Sequence, residues 1–331
     1  STPPPSTPPP PSTPPPSTPP PPTPPPSTPL PPPSTPPPPP STPPPPPPRS
    51  ISPRGESLLP RICGHAAPHD KIHGGTAAPL GAYPWMAVLG FTRGGRAFPV
   101  YWGCGGSLIN ERYVLTAAHC TYPNMNLGMD LTKVRLGENH LGNARDCDDE
   151  VCAPAPQDFG VESMMRHPRF LGSSTHSNDI ALLRLDASVT FTAFVQPICL
   201  PTPGVSVAEL VGERQVVVTG FGDTETGRRS EQLLQVMLPL VPRDVCLKAA
   251  NYVVTMGKDG GKVCFGGQFQ MDSCFKDSGG PAIINRNPTG PPFVQVGLVS
   301  YGSKSCGEPG IPAIYTDITF YRDWIVGNLQ P

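Results

Sequence analysis

The chain has 331 residues, 10 cysteines and 54 prolines, with a formal net charge of −1. So even a balance gives no reason to expect a nucleic-acid partner or a polybasic membrane contact, and no apolar run reaches the roughly 18 residues needed to span a bilayer. An even cysteine count at irregular spacing points to disulfides and an oxidising compartment. Zinc is the competing reading, but only Cys147-x4-Cys152 is closely spaced and no second such pair accompanies it.

Most of the prolines lie in residues 1–48, where Ser-Thr-Pro-Pro-Pro units repeat with small changes in proline number. A tract with so little to bury and so few backbone donors builds no core and favours polyproline II, so a disordered arm is expected. At roughly 3.1 Å per residue it would extend on the order of 150 Å. A stiff spacer is the plain reading; its Ser-Thr pairs suit O-glycans, and docking to a proline-recognising partner is the alternative. There is no signal peptide and no initiator Met, so the sequence is expected to be a processed form or a fragment.

Residues 49–71 form a polar linker carrying Arg49, Arg54, Arg61 and Lys71. From Ile72 onward the chain is long enough for a large core or two packed subdomains. Short β-rich runs follow, punctuated by glycine and asparagine: Met86–Gly90, Gly105–Ile109, Tyr113–Thr116, Lys133–Gly137, Gln215–Gly222 and Gln232–Leu240. Many short strands with turn signals indicate a sandwich or barrel, and Trp324–Val326 reads as part of a terminal helix.

Three segments carry chemistry. Thr116-Ala117-Ala118-His119-Cys120 offers a base. Asn178-Asp179-Ile180-Ala181-Leu182-Leu183 places a carboxylate against an apolar run, where burial is expected. Asp272-Ser273-Cys274-Phe275-Lys276-Asp277-Ser278-Gly279-Gly280-Pro281 offers a serine among glycines. A serine hydroxyl is a weak nucleophile that needs a base for its proton and backbone donors for the oxyanion. Taken alone, a Ser-Gly-Gly-Pro turn is an ordinary loop, and a lone histidine is more often structural; His65, His69, His140, His167 and His176 are read as structural.

Together, in the order His, Asp, Ser, the three segments resemble the chymotrypsin-like (trypsin family) serine proteases from about Ile72 to the C-terminus, residues 72–331. The pattern is most similar to the catalytic domains of arthropod clip-domain proteases, although none of the six cysteines that a clip domain needs stands upstream. The resemblance implies an all-β fold of two antiparallel six-stranded β-barrels with a C-terminal helix. It implies a secreted, extracellular, monomeric endopeptidase zymogen that cleaves protein substrates after Arg or Lys in a cascade of immune, melanisation or developmental type. An upstream activating protease and a serpin-type inhibitor are the partners expected, and no cofactor is required.

Carried over residue by residue, Ser278 is the nucleophile, His119 the base and Asp179 its orienting acid. The N–H groups of Lys276 and Ser278 form the oxyanion hole. Asp272 is the pocket floor, Ser300 and Gly302 belong to the substrate-pairing edge, and Ala313 lies on the pocket wall. Lys71-Ile72 looks like the activation bond, its new N-terminus pairing with Asp277. The implied disulfides are Cys63–Cys199, Cys104–Cys120, Cys147–Cys152, Cys246–Cys264 and Cys274–Cys306, the first keeping the pro-segment attached. Some clip-domain proteases bind calcium in the loop matching residues 137–162. Glu138 stands where its ligands would begin, the alternative being a disulfide-pinned surface loop.

Two positions depart from the family pattern. Lys276 and Ala313 replace usual glycines, one at an oxyanion donor and one in the pocket wall. They leave open a weakly active or non-catalytic homologue that acts as a binding cofactor.

Overall fold

The computed structural model describes residues 53–66, 76–94, 99–123, 128–149, 151–170, 172, 176–223, 229–249, 261–268, 277–287, 290–302 and 308–331. The proline-rich arm and the Lys71-Ile72 bond lie outside them, as do Asp272, Cys274, Lys276 and Cys306.

After a short turn of helix, α1 (Pro53–Glu56), strand β1 (Thr76–Ala77) leads into the first barrel. Six strands close it: β2 (Met86–Thr92), β3 (Tyr101–Leu108), β4 (Tyr113–Thr116), β5 (Asp130–Leu136), β6 (Gln157–Arg166) and β7 (Ala181–Leu185), in the spatial order β2-β3-β4-β7-β6-β5. The second barrel comprises β8 (Gln215–Gly220), β9 (Leu234–Val241), β10 (Lys262–Gly266), β11 (Pro281–Asn287), β12 (Gly290–Tyr301) and β13 (Pro312–Asp317). Its order β9-β10-β13-β12-β11-β8 is closed by pairing of β8 with β9, and β1 adds to β9 through Thr76 opposite Gln235. All named pairs are antiparallel. Three further helices, α2 (Val207–Val211), α3 (Arg243–Lys248) and α4 (Ile318–Gly327), complete the chain.

The strands show why alternation of apolar and polar residues is faint in this sequence. In β13, Ala313 and Tyr315 enter the second-barrel core while Ile314, between them, packs with the Cys246 and Cys264 side chains on the other face. A strand buried on both faces reads as a continuous apolar run. The barrels also share apolar surface. Trp85, fully buried before β2, sits with its ring centroid 5.4 Å from that of Phe293 in β12.

Where the barrels meet at the Ser278 turn, glycine is required. Gly279 has φ of +79°, and a Cβ there would fall 2.3 Å from the Thr116 hydroxyl oxygen and 2.5 Å from the Gly105 carbonyl oxygen. Only a residue without a side chain fits that conformation and approach.

Helix α4 is capped by Asp317, whose Oδ1 accepts from the Thr319 and Phe320 amides. The helix lays Ile318, Tyr321, Ile325 and Val326 onto the core. Residues 53–66 pack on this side of the molecule. Cys63 is disulfide-bonded to Cys199, Gly64 exchanges backbone hydrogen bonds with Pro197 and Phe293, and Arg322 pairs with Glu56 at 2.5 Å.

Candidate active site

His119 sits in a 3-10 turn (Ala118–Thr121) directly after β4, and Asp179 directly precedes β7. Since β4 and β7 are paired, with Thr116 opposite Ala181, the two side chains meet. Asp179 is fully buried. Its Oδ2 lies 2.8 Å from His119 Nδ1, and its Oδ1 accepts from the His119 amide at 2.9 Å.

A carboxylate can only accept here, so Nδ1 carries the proton and Nε2 is left as the basic atom. Burial by itself would raise the Asp179 carboxyl. The adjacent His119 ring and its hydrogen bond oppose this, with His176 and the Lys262 ammonium adding to the effect, and hold it well below the usual carboxylate range.

Two hydroxyls complete the aspartate's shell. Ser300 Oγ donates to Oδ2 at 2.6 Å, and Thr316 Oγ1 donates to the Asp179 carbonyl at 2.8 Å. Asn178, in the left-handed region at φ 55°, accepts from the Tyr321 hydroxyl at 3.0 Å, so α4 braces the turn that carries Asp179.

Ser278 lies in a turn held by both barrels. Its carbonyl accepts from the Gly105 amide at 2.8 Å, and the Gly279 amide donates to Val299 at 2.8 Å. The Cys104–Cys120 disulfide lies against both the histidine and the serine turn: Cys120 Sγ is 3.7 Å from His119 Nε2 and 3.5 Å from the Ser278 carbonyl oxygen. Asp277 turns the other way, accepting from the Gly222 amide at 2.8 Å. A Cβ at Gly220 or Gly222 would strike its carboxylate at 2.0 or 2.4 Å.

The structure brings Ser300 to Asp179 through its side chain, and its backbone lies near the end of β12, a strand flanked by β11 and β13 rather than one at an open edge. Gly302 follows that strand, and Ala313 is buried in β13. Disulfides join Cys63 to Cys199, Cys104 to Cys120, Cys147 to Cys152 and Cys246 to Cys264.

Two residues at the site are not evident from local sequence. Lys262 is buried, with Nζ donating to Ser300 Oγ at 2.7 Å and to Thr316 Oγ1 at 3.1 Å. Desolvation pushes its pKa down to about 8 against the pull of Asp179. His176 has Nδ1 3.8 Å from Asp179 Oδ2 and its ring centroid 5.8 Å from that of His119. A histidine three residues before the acid was the available signal for the second; a lysine inside the apolar strand Lys262–Gly266 was the signal for the first.

Glu138 follows β5 and is buried beside Asp146. Asp146 Oδ2 accepts from the Asn139 and His140 amides, and Glu138 Oε1 accepts from His140. Asp146 Oδ1 has no hydrogen-bond partner among the described residues, whereas Arg135 reaches Glu138 Oε2 at 3.2 Å. Burial and then the Asp146 charge raise the Glu138 pKa. Two buried carboxylates with one orphaned oxygen are a donor set that suits a hard, oxygen-seeking cation.

Two closed antiparallel barrels, with a serine turn, a histidine and a buried aspartate at their junction, define the architecture of a chymotrypsin-fold serine protease. The chain belongs to the trypsin family: the family model described as Trypsin matches residues 72–325. It is similar to phenoloxidase-activating factor 1 of Holotrichia diomphalia, with 41% identity over 284 residues, covering 83% of this chain and 74% of that protein. It is 36% identical over 268 residues to serine protease grass of Drosophila melanogaster, covering 78% and 68% of the two chains. Among solved structures, the crystal structure of the Drosophila Grass clip serine protease of the Toll pathway matches with a TM-score of 0.67 and 33% identity, over 83% of this chain and 77% of that one.

Proposed function

We propose that this chain is a secreted endopeptidase zymogen that cleaves protein substrates after Arg or Lys within an extracellular cascade. The observation that carries the catalytic part is the Asp179–His119 pair at 2.8 Å, buried and supported by Ser300. In this reading His119 Nε2 takes the proton of Ser278 Oγ as the oxygen attacks the scissile carbonyl. Asp179 stabilises the imidazolium, which then protonates the leaving amine; water repeats the sequence on the acyl-enzyme. The Ser278 and Lys276 amides would hold the oxyanion.

Cleavage at Lys71-Ile72 by an upstream protease would deliver a new N-terminus toward Asp277. Asp272 would select the basic side chain, and a serpin-type inhibitor would terminate activity. The names of the relatives, a phenoloxidase-activating factor and a Toll-pathway protease, support a cascade role of this type. A calcium ion held by Glu138, Asp146 and nearby backbone carbonyls would brace the 137–162 loop without taking part in the chemistry. The enzyme is proposed to act as a monomer.

A second reading rests on Lys276 and Ala313: a weakly active or inactive homologue that serves as a binding cofactor. Trypsin treatment of the full chain, followed by assay on an arginyl amide and labelling with an active-site phosphonate, decides between them. Hydrolysis and labelling that both vanish in Ser278→Ala establish the enzyme. Absence of both in the cleaved wild-type chain removes the enzyme reading and leaves the binding homologue.

A further inference from the structure

The catalytic pair has a third neighbour that the hydrolytic mechanism does not use. His176 lies on the turn that ends in Asp179, held at φ 46°, a left-handed conformation uncommon for a residue with a side chain. The side chain is only 12% exposed, and its Nδ1 is buried with no hydrogen-bond partner among the described residues. At 3.8 Å from Asp179 Oδ2, that nitrogen is too distant for a full hydrogen bond, yet near enough to add to the pull on the carboxylate. The Tyr301 ring, with its centroid 4.9 Å away, covers one side of the imidazole. A buried ring nitrogen without a partner carries a desolvation cost that a ligand would remove.

One donor atom from each of His119, His176 and Asp179 lies within 4.8 Å of the other two. We infer that these three side chains form a binding site for a divalent cation of Zn2+ type, and that its occupation switches the catalytic base off. Two imidazoles and one carboxylate match zinc in donor chemistry, whereas calcium and magnesium prefer all-oxygen shells. Bonds of about 2.0–2.1 Å in a tetrahedron put neighbouring donors about 3.3 Å apart. The separations of 2.8 Å (His119 Nδ1 to Asp179 Oδ2) and 3.8 Å (His176 Nδ1 to Asp179 Oδ2) bracket that value, and the two imidazole donors lie within 4.8 Å of each other, so binding would draw the two rings together. A water molecule would take the fourth position.

The inhibitory step balances without any redox partner. An ion bound at His119 Nδ1 replaces the proton shared with Asp179, and that proton passes through solvent to Nε2. The ring stays neutral, but its Nε2 now carries hydrogen and accepts nothing from Ser278. Lys262, one hydroxyl away from Asp179, opposes a second cation there, so binding is expected in the micromolar range rather than tighter. The effect on activity rests on the protease reading above; the binding itself does not.

The test therefore measures both. Isothermal calorimetry with Zn2+ on the full-length Ser278→Ala chain reads binding in the absence of catalysis. Zn2+ titration of the trypsin-activated Ser278 chain on an arginyl amide reads inhibition. One micromolar site is expected, weakened at least about tenfold in His176→Gln, with inhibition over the same concentration range. Equal affinity in His176→Gln, or no binding below millimolar Zn2+, overturns the site. If the substituted chain does not fold, Co2+ added to the unmodified chain reports instead. Intense visible bands of a tetrahedral site that Zn2+ removes support the inference, and weak octahedral bands overturn it. Binding without any hydrolysis in the zinc-free chain would sustain the site while removing the protease reading.

Discussion

The ammonium of Lys262 and the carboxylate of Asp179 are linked by a single hydroxyl: Nζ donates to Ser300 Oγ at 2.7 Å, and Ser300 Oγ donates to Asp179 Oδ2 at 2.6 Å. The negative end of the pair holds the His119 ring, and the positive end is buried at a cost. Burial lowers the Lys262 pKa from 10.5 unfolded to about 8 folded. Between these values the unfolded chain holds more protons, so stability rises with pH by roughly 1.4 kcal/mol per unit. Below pH 8 the lysine is charged in both states and its full penalty applies. Wild type is expected to gain stability relative to Lys262→Met as pH rises from 7 toward 10, because only the wild-type chain loses the cost of a buried ammonium over that range. Denaturant unfolding at pH 7 and pH 9.5 checks this; a difference that does not change with pH would show that Lys262 is not the strained group.

Calcium should act through Glu138 and Asp146. The folded-state pKa of Glu138 is raised, so its contribution to stability is present at low pH and lost as pH rises through that pKa. A cation between the carboxylates would abolish this loss at neutral pH. Chelation is therefore expected to lower the melting temperature at pH 7, and Asp146→Asn should remove the calcium dependence. The midpoint is read by calorimetry with calcium and with chelator; identical values for wild type in both would leave the loop to its disulfide and Arg135.

Cleavage after Lys71 is expected to be required for activity. Lys71→Gln should stay uncut and silent toward arginyl amides after treatment with a trypsin-like activator. The Cys63–Cys199 disulfide and the packing of residues 53–66 predict that the two products of wild-type cleavage co-migrate on a non-reducing gel and separate on reduction. Full activity in Lys71→Gln would remove the zymogen reading.

Asp272 should set specificity. Asp272→Ser is expected to abolish the preference for Arg and Lys, measured as kcat/KM across a panel of amide substrates. Hydrolysis after Arg at an unchanged rate would place the pocket anion elsewhere. Ala313→Gly is expected to raise turnover after Arg relative to Lys by enlarging the slot.

Lys276 is expected to limit turnover through the oxyanion hole. Losing one such donor costs roughly 100- to 1000-fold in rate, or about 2.7–4 kcal/mol. Lys276→Gly should recover part of that on small amide substrates, because glycine reaches peptide orientations that a Cβ disfavours. It should also tighten binding of rigid protein inhibitors. Lys276→Ala removes the charge and length but keeps the Cβ, so a full recovery with alanine would assign the effect to charge rather than to the backbone.

His119, Asp179 and Ser278 stand out in the sequence because each is embedded in a local pattern whose residues have their own physical reasons, and the structure joins the first two at 2.8 Å. The apolar run Ile180–Leu185 announces a buried strand behind the acid. In the sequence, Gly279 and Gly280 read as room for a substrate backbone to come close; in the structure it is the Gly105 carbonyl and the Thr116 side chain of the first barrel that crowd Gly279. Many short strands indicate only a sandwich or barrel; the two-barrel class is what the resemblance carried by the three segments implies. Burial on both faces of strands such as β13 erased the alternation that would have marked the inward side chains.

What only the tertiary structure decided are contacts between residues that share no local pattern. Ser300 reaches Asp179 across 121 positions of sequence, and Lys262 reaches Thr316 across 54. His176 is near Asp179 in sequence, yet its aim depends on a left-handed turn and on the cover of Tyr301. The cost of burying a charge or a ring nitrogen depends on everything packed around it, and closure of the two barrels assembles that surrounding from strands far apart in the chain.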